Sequence, residues 1–300
     1  MSIGYACLTI DVEDTKIKSC IMRNATDTRL KELIAWNLNS LNNILDYNIA
    51  NDIRLFRISS DLIPFGSSPQ NMIPWWDIFE QEFQELGDKI KAHGIRVSLH
   101  PGQYTVLNSP KEDVVQRAIM DLRYHAKVLS CLKVGLECKI ILHVGGVYGD
   151  KEQAIERFVL NYQGLEQELK QRIVIENDDK CYNIKEVLSL GVSQNIPVVY
   201  DNLHHIANPT QMFMSHKYWI DQCKKTWNKR DGVQKIHYSQ QDQEKKLGSH
   251  SGSINVEEFI KFYHELERED LDIMLEVKDK NLSALKCSQY LKKESAIRTG

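Results

Sequence analysis

No apolar run in this 300-residue sequence approaches the length that crosses a bilayer, so a helical membrane protein is excluded. No CxxC pair occurs among the seven cysteines (Cys7, Cys20, Cys131, Cys138, Cys181, Cys223, Cys287). Their scattered, odd-numbered placement argues against a zinc ribbon and for reduced thiols in a cytoplasmic protein. Net charge is small, −3, which excludes a surface coated in lysine and arginine but allows one local basic face. No GxGxxG follows an apolar run, which removes the main support for an open doubly wound sheet. No low-complexity linker or short-period repeat divides the chain, so a single domain over residues 1–300 is expected, with its tail after about residue 294 frayed. A basic leader is also missing. MSIGYACLTI is followed at once by Asp11, Glu13 and Asp14 and reads as a first strand rather than a signal peptide.

What the sequence does contain is a repeated ending. IVIE stops at Glu176, RVSLH at His100, KIILH at His143, PVVYD at Asp201, VQKIH at His237 and DIMLE at Glu276. Each is a short apolar run, the pattern of a buried strand, terminating in a residue able to ligate a metal. Between the runs lie helix patterns at about 27–49, 75–93 (Gly94 as C-cap), 110–132 (opened by Pro110), up to about 170, 183–190, after Pro209, 256–268 and 282–293. About eight strand–helix units in that order close most naturally into a (β/α)8 TIM barrel, whose site lies at the C-terminal strand ends.

The chemistry follows from the residue types. Burying Glu176, Asp201 and Glu276 together would cost several kcal/mol per uncompensated ion, so cations between them are expected, with His100, His143 and His237 as neutral donors. A mixed nitrogen and oxygen set suits zinc, manganese or iron(II) better than magnesium or calcium. Asp201 and His204 form D-x-x-H, which one turn can present together. Lys235 and His237 are two apart in a strand and share a face. Lys235 is neutral, salt-bridged to a carboxylate, or carboxylated by CO2 into an anionic ligand. His250, in GSHSG, can swing over the mouth, while His205 is expected beside the site or in solvent. His93, His125, His216 and His264 fall on helix patterns and are expected at the surface.

SLHPGQYTVLNSP, ILHVGG, IENDD, YDNLHH, IHYS, GSHSG and MLEVKDK, in this order and preceded by IGYACL and RISSDLIPFGS, resemble the UV damage endonuclease family over roughly residues 3–280. The resemblance implies a TIM barrel related to endonuclease IV and two or three divalent ions, manganese first, with zinc, cobalt or iron as other candidates. It implies metal ligands at His100, His143, Glu176, Asp201, His204, His237, His250 and Glu276, and a modified lysine at Lys235. Gln103 and Tyr104 look like the family's probe residues, which enter the duplex where damage is flipped out, and Tyr5 looks like part of the lesion pocket. A ring and an amide can replace a lost stacking and pairing partner, which makes the probe role physically sensible. The implied substrate is UV-damaged double-stranded DNA, nicked immediately 5′ of cyclobutane dimers, 6-4 photoproducts and some abasic sites by a monomer without an obligate protein partner. One departure stands out: the family reads F-A/G-S-H where this chain has Phe65-Gly66-Ser67-Ser68, so Ser68 replaces an expected histidine ligand.

The expected mechanism is metal-assisted phosphodiester hydrolysis in which Glu176, Lys235 and Glu276 act at the reacting centre, Glu176 bridging two ions. Arg57 and the loop cations Lys16, Lys18 and Arg23 are expected on the DNA backbone. Two rivals share parts of the pattern. A xylose-isomerase-like sugar isomerase or epimerase would need one or two ions and a closed pocket. A damaged-DNA-binding protein disabled by Ser68 would keep the probe loop and lose cleavage.

Overall fold

In the computed structural model, which describes residues 1–299 and side chains as far as 293, strands and helices alternate along the chain. The first half runs β1 (Ile3–Ala6), α1 (Asp27–Ala50), β2 (Leu55–Arg57), α2 (Trp75–Ile78), α3 (Glu80–Ala92), β3 (Arg96–Ser98), α4 (Glu112–Cys131) and β4 (Ile140–His143). It continues with α5 (Lys151–Gln163), α6 (Gln167–Arg172), β5 (Ile173–Glu176), α7 (Ile184–Gln194), β6 (Val198–Asp201), α8 (Asn202–Ala207), α9 (His216–Lys224), β7 (Gln234–Tyr238), α10 (Val256–Leu266), β8 (Leu271–Leu275) and α11 (Asn281–Thr299).

All paired strands are parallel, in the order β3-β2-β1-β8-β7-β6-β5-β4. A parallel bridge between Leu99 and Ile140 joins β3 to β4, so the sheet closes on itself as the (β/α)8 barrel expected from the unit count. The main core lies between strands and helices: Phe56, Val97, Ile175 and Ile236 from the sheet meet Leu38, Phe83, Leu122 and Phe259 from the helices. Two small clusters are separate from it. Ala6, Leu55 and Met274 form one, and Ile141, Val174 and Val199 the other. Their positions alternate with the outward residues, so they fill the barrel lumen. Two residues further along the same faces stand Arg57, Glu276, His143, Glu176 and Asp201, which the strand period therefore delivers to the mouth.

Local chemistry sets the element ends. Thr26 caps α1 by accepting the Arg29 N–H at 3.3 Å, and Asn183 with Glu186 forms a capping box at α7. Gly94, at φ +61°, takes the left-handed turn after α3. Four expectations need correction, the first being the 75–93 helix, which is two, α2 and α3, parted at Phe79. Helix α4 starts at Glu112, because Ser109 Oγ accepts the Lys111 N–H at 3.1 Å and keeps Pro110 in the preceding turn. The helix expected to reach about 170 is two helices, broken around Gly164, a weak helix former. Directly after β6 comes the unexpected short helix α8, capped by Asp201. Helix α11 continues to Thr299, and the expected fraying after about 294 concerns residues whose side chains lie outside the described ones. No helix among the described residues is long and apolar enough to cross a membrane, and all seven cysteines are free.

Candidate metal centre

Glu176 is the hub. It ends β5, paired with His143 of β4 on one side and Val199 of β6 on the other, and is fully buried. Its Oε2 lies 3.2 Å from His100 Nε2. Its Oε1 lies 3.3 Å from His204 Nδ1 and 3.0 Å from His237 Nδ1. Among the described residues neither oxygen has a partner in hydrogen-bonding geometry, and His143 Nδ1, Asp201 Oδ2 and His237 Nδ1 are likewise buried without one. Buried polar atoms are almost always satisfied, so this convergence of unsatisfied donor atoms is what a site built for cations presents. Two triads have mutually close ligand atoms, within 4.8 Å: His100–His143–Glu176 and Glu176–Asp201–His237. They share Glu176. The nitrogen and carboxylate donors fit divalent transition metals, manganese included.

The remaining expected ligands border this core. Asp201 Oδ1 accepts the His204 N–H at 2.7 Å, so one oxygen caps α8 and fixes the turn that aims His204 inward, while Oδ2 faces the cluster. Glu276 Oε1 lies 3.3 Å from His237 Nδ1, and His250 Nε2 lies 4.0 Å from Glu276 Oε2. His250 is carried on a loop closed by an antiparallel bridge to Gln241.

The electrostatics reflect dense packing. Burial alone would push the Glu176 carboxyl up, but His237 and His143, with His100 and His204, outweigh it and hold it well below its ordinary value. Burial acts the same way on Glu276, where Arg57 and His237 win. At Asp201 burial dominates and raises the carboxyl. Burial lowers His143 to about 4. His204 resists burial because Asp201 and Glu176 flank it, and rises to about 11.

Lys235 lies on the lumen face of β7 and is buried. Its Nζ has no hydrogen-bond partner among the described residues. Burial, reinforced by Arg96, drives it well below the usual lysine value, with Asp272 opposing. The expected salt bridge to a carboxylate is therefore not formed. Arg57 also differs from expectation. It is buried, pairs with Glu276 at 2.6 Å and lies 2.8 Å from His237 Nε2. It is thus an internal cation of the cluster.

Above the cluster opens a groove of ≈ 1410 Å³, lined by His100, His143 and His204 at its floor and by Gln103, Tyr104 and Tyr148 higher up. Tyr104 is 83% exposed, a ring held in solvent on the loop after β3. Tyr5 is not in this groove. Its side chain turns to the outer face of β1, fully buried, with its hydroxyl donating to Asn48 Oδ1 at 2.7 Å and its ring against Phe56. The alternation of β1 puts Ala6 inward and Tyr5 outward, and the residues that reach the groove from this end are Cys7 and Leu8. Lys18 stacks on Trp36 at 3.1 Å instead of lining the groove, whose cations are Lys111, Arg117 and Lys180. Sequence reasoning missed these three because nothing in their local pattern distinguishes them from solvated charges.

Ser68 lines the groove and donates to Gln70 through its hydroxyl. Three histidines expected at the surface are not fully there: His125, His216 and His264, the last half-buried. His125 is buried, with Nδ1 at 2.7 Å from the Asp121 carbonyl and Nε2 at 3.0 Å from Ser60 Oγ, and Ser60 in turn donates to the His100 carbonyl at 2.8 Å. His216 is half-buried, its Nδ1 2.6 Å from the Tyr200 hydroxyl. A helix-face histidine followed by inward apolar neighbours was the available signal.

The family model described as UV-endonuclease UvdE matches residues 1–299. A curated relative, the UV DNA damage endonuclease of Clostridium perfringens (strain 13 / Type A), is 45% identical over 97% of this chain and 71% of its own length. The crystal structure of SacUVDE superposes with TM-score 0.93 at 38% identity, over 98% of this chain and 99% of that one. Endonuclease IV from Thermus thermophilus, at 14% identity and TM-score 0.57 over 98% of this chain and 100% of its own, shares the fold.

Proposed function

This chain belongs to the UV-endonuclease UvdE family, and on that premise we propose that it is a DNA-repair endonuclease hydrolysing the phosphodiester backbone immediately 5′ of UV photoproducts. Its substrates are duplexes carrying cyclobutane dimers, 6-4 photoproducts and some abasic sites. The observation that carries the reading is Glu176, buried inside a ring of histidines at the floor of an open groove, with neither oxygen in hydrogen-bonding geometry among the described residues. A sugar isomerase would enclose its small substrate. A groove bordered by an exposed Tyr104 and by Lys111, Arg117 and Lys180 suits a polyanionic duplex better.

His100, His143 and Glu176 would hold one ion, and Glu176, Asp201 and His237 a second. His204, His250 and Glu276 would complete the set. Divalent ions there, manganese first, supply Lewis acidity that activates water near neutral pH and offsets charge developing on the phosphate. Glu176, held ionised, is the shared carboxylate. Lys235, buried, without a hydrogen-bond partner among the described residues and shifted toward its unprotonated form by burial, is suited to add CO2 at Nζ, releasing a proton and becoming a carbamate anion beneath the cluster. Gln103 and Tyr104 enter the duplex at the lesion, and the groove lysines and arginine bind the flanking phosphates. The protein works in the cytoplasm as a monomer.

The test is nicking of UV-irradiated against unirradiated supercoiled plasmid, with manganese and with EDTA. Nicking that requires both damage and manganese is expected. Retained binding of damaged duplex without nicking would shift the reading to a binding protein crippled at Ser68, and neither binding nor nicking would overturn it.

A further inference from the structure

Two asparagines immediately follow carboxylates of the cluster, Glu176-Asn177 and Asp201-Asn202. Both are buried, and both do the same thing. Asn177 Nδ2 donates to the Asp201 carbonyl at 3.0 Å, and its Oδ1 accepts the Asp201 N–H at 2.9 Å. Asn202 Nδ2 donates to the Ser239 carbonyl at 2.9 Å, and its Oδ1 accepts the Ser239 N–H at 2.8 Å.

The offsets coincide. Glu176 pairs in register with Val199, and the residue after Glu176 grips the residue two beyond Val199. Asp201 pairs with His237, and the residue after Asp201 grips the residue two beyond His237. In each case a side-chain amide imitates a strand residue and carries the ladder past the last backbone pairing. The belt continues. Ser239 Oγ donates to the Glu276 carbonyl at 3.0 Å, and the Glu276 N–H donates to the Tyr238 carbonyl at 2.9 Å. Hydrogen bonds thus link the main chain at Glu176, Asp201 and Glu276 across four successive strands.

We propose that Asn177 and Asn202 are positioning residues whose reciprocal amide clasps hold the three carboxylates converged before any cation arrives. Strand ends fray, and three buried carboxylates repel one another, so without the clasps the loops after β5 and β6 would splay. The inference rests on the metal-centred reading of the cluster. Side chains that orient metal ligands typically contribute about 10–100-fold to metal affinity.

The experiment is a manganese titration of the purified full chain, wild type against Asn177→Ala, Asn202→Ala and Asn37→Ala. Asn37 is the control. It is equally buried and makes the same reciprocal pair, with Lys18, but from α1 outside the barrel. All three variants should melt earlier than wild type. Asn177→Ala and Asn202→Ala should bind manganese about 10–100-fold more weakly, while Asn37→Ala keeps wild-type affinity. If Asn177→Ala does not fold, Asn177→Asp keeps the shape and the acceptor but sets an oxygen against the Asp201 carbonyl, and should also weaken binding. Wild-type affinity in the Asn177 and Asn202 variants, or an equal loss in Asn37→Ala, would overturn the proposal and leave the nuclease reading intact. A wild-type chain that takes up no manganese would instead bring down the metal-centred reading, and this inference with it.

Discussion

Arg57, the last residue of β2, reaches past β1 to Glu276 beyond β8, its Nη2 2.6 Å from Oε1 and 2.8 Å from His237 Nε2. A guanidinium only donates and keeps its charge, so the pair sets a fixed positive charge inside the cluster. Arg57→Met should destabilise the EDTA-treated protein by about 3–5 kcal/mol, the range for stranding one partner of a buried pair. Manganese should recover much of that loss by supplying the missing positive charge. Denaturant unfolding with and without manganese checks this, and a loss below about 1 kcal/mol would mean that Glu276 is not stranded.

Tyr5 belongs to the core, with its hydroxyl on Asn48. Tyr5→Phe should lower stability by about 1 kcal/mol and leave binding of photoproduct-containing duplex unchanged. A weakened lesion affinity at unchanged stability would restore Tyr5 to the recognition site.

Tyr104, 83% exposed, has no packing to lose in the free protein. Tyr104→Ala should leave the melting temperature in place and weaken binding to damaged duplex by about 1–3 kcal/mol, the contribution of one aromatic stacked on a base. Affinity for undamaged duplex should hardly change. Fluorescence titration of the two duplexes separates these effects.

Ser68 stands where the resembled family places a histidine, and its hydroxyl is engaged with Gln70 rather than with the cluster. An ion held by His100, His143 and Glu176 would thus have three protein donors from its triad. Ser68→His should tighten manganese binding and raise nicking at limiting metal. Unchanged manganese affinity would show that position 68 does not reach the ion.

His125 and His216 should contribute to the acid limb of stability, alongside His143 and His205. Burial, opposed by Asp121, lowers His125 below the ordinary 6.5, and burial, opposed by Glu265, lowers His216. The unfolded chain therefore takes up protons first as pH falls through about 6.5, and stability is lost on that side. Above that value both histidines are neutral in either state and contribute no slope. The melting temperature of the EDTA-treated protein should decline as pH falls from about 7 to 5, and His125→Gln with His216→Gln should flatten that decline.

Much of this was legible from residue order. Each apolar run that ended in a ligand-type side chain became a strand delivering that side chain to the mouth, because a period of two carries every second residue to one face. Glu176, Asp201 and His237 were readable for that reason. Tyr5 shows where the same rule needs one more piece of information: alternation says that neighbours point oppositely, but which set faces the lumen depends on the neighbouring strands. The pairing of Arg57, expected on the DNA backbone, with Glu276 was not legible because the two lie 219 positions apart by their numbers in the sequence.

The sequence by itself determined the unit count, the barrel and the residue types gathered at the strand ends, since those follow from local periodicity and from connections short enough to force sequential packing. Only the tertiary structure decided which donors converge on Glu176, that Lys235 is left without a partner, and that Arg57 is spent inside the cluster. It also decided that Asn177 and Asn202 clasp neighbouring strands. Such relations depend on barrel closure and strand register, which bring residues far apart in the chain within hydrogen-bonding distance.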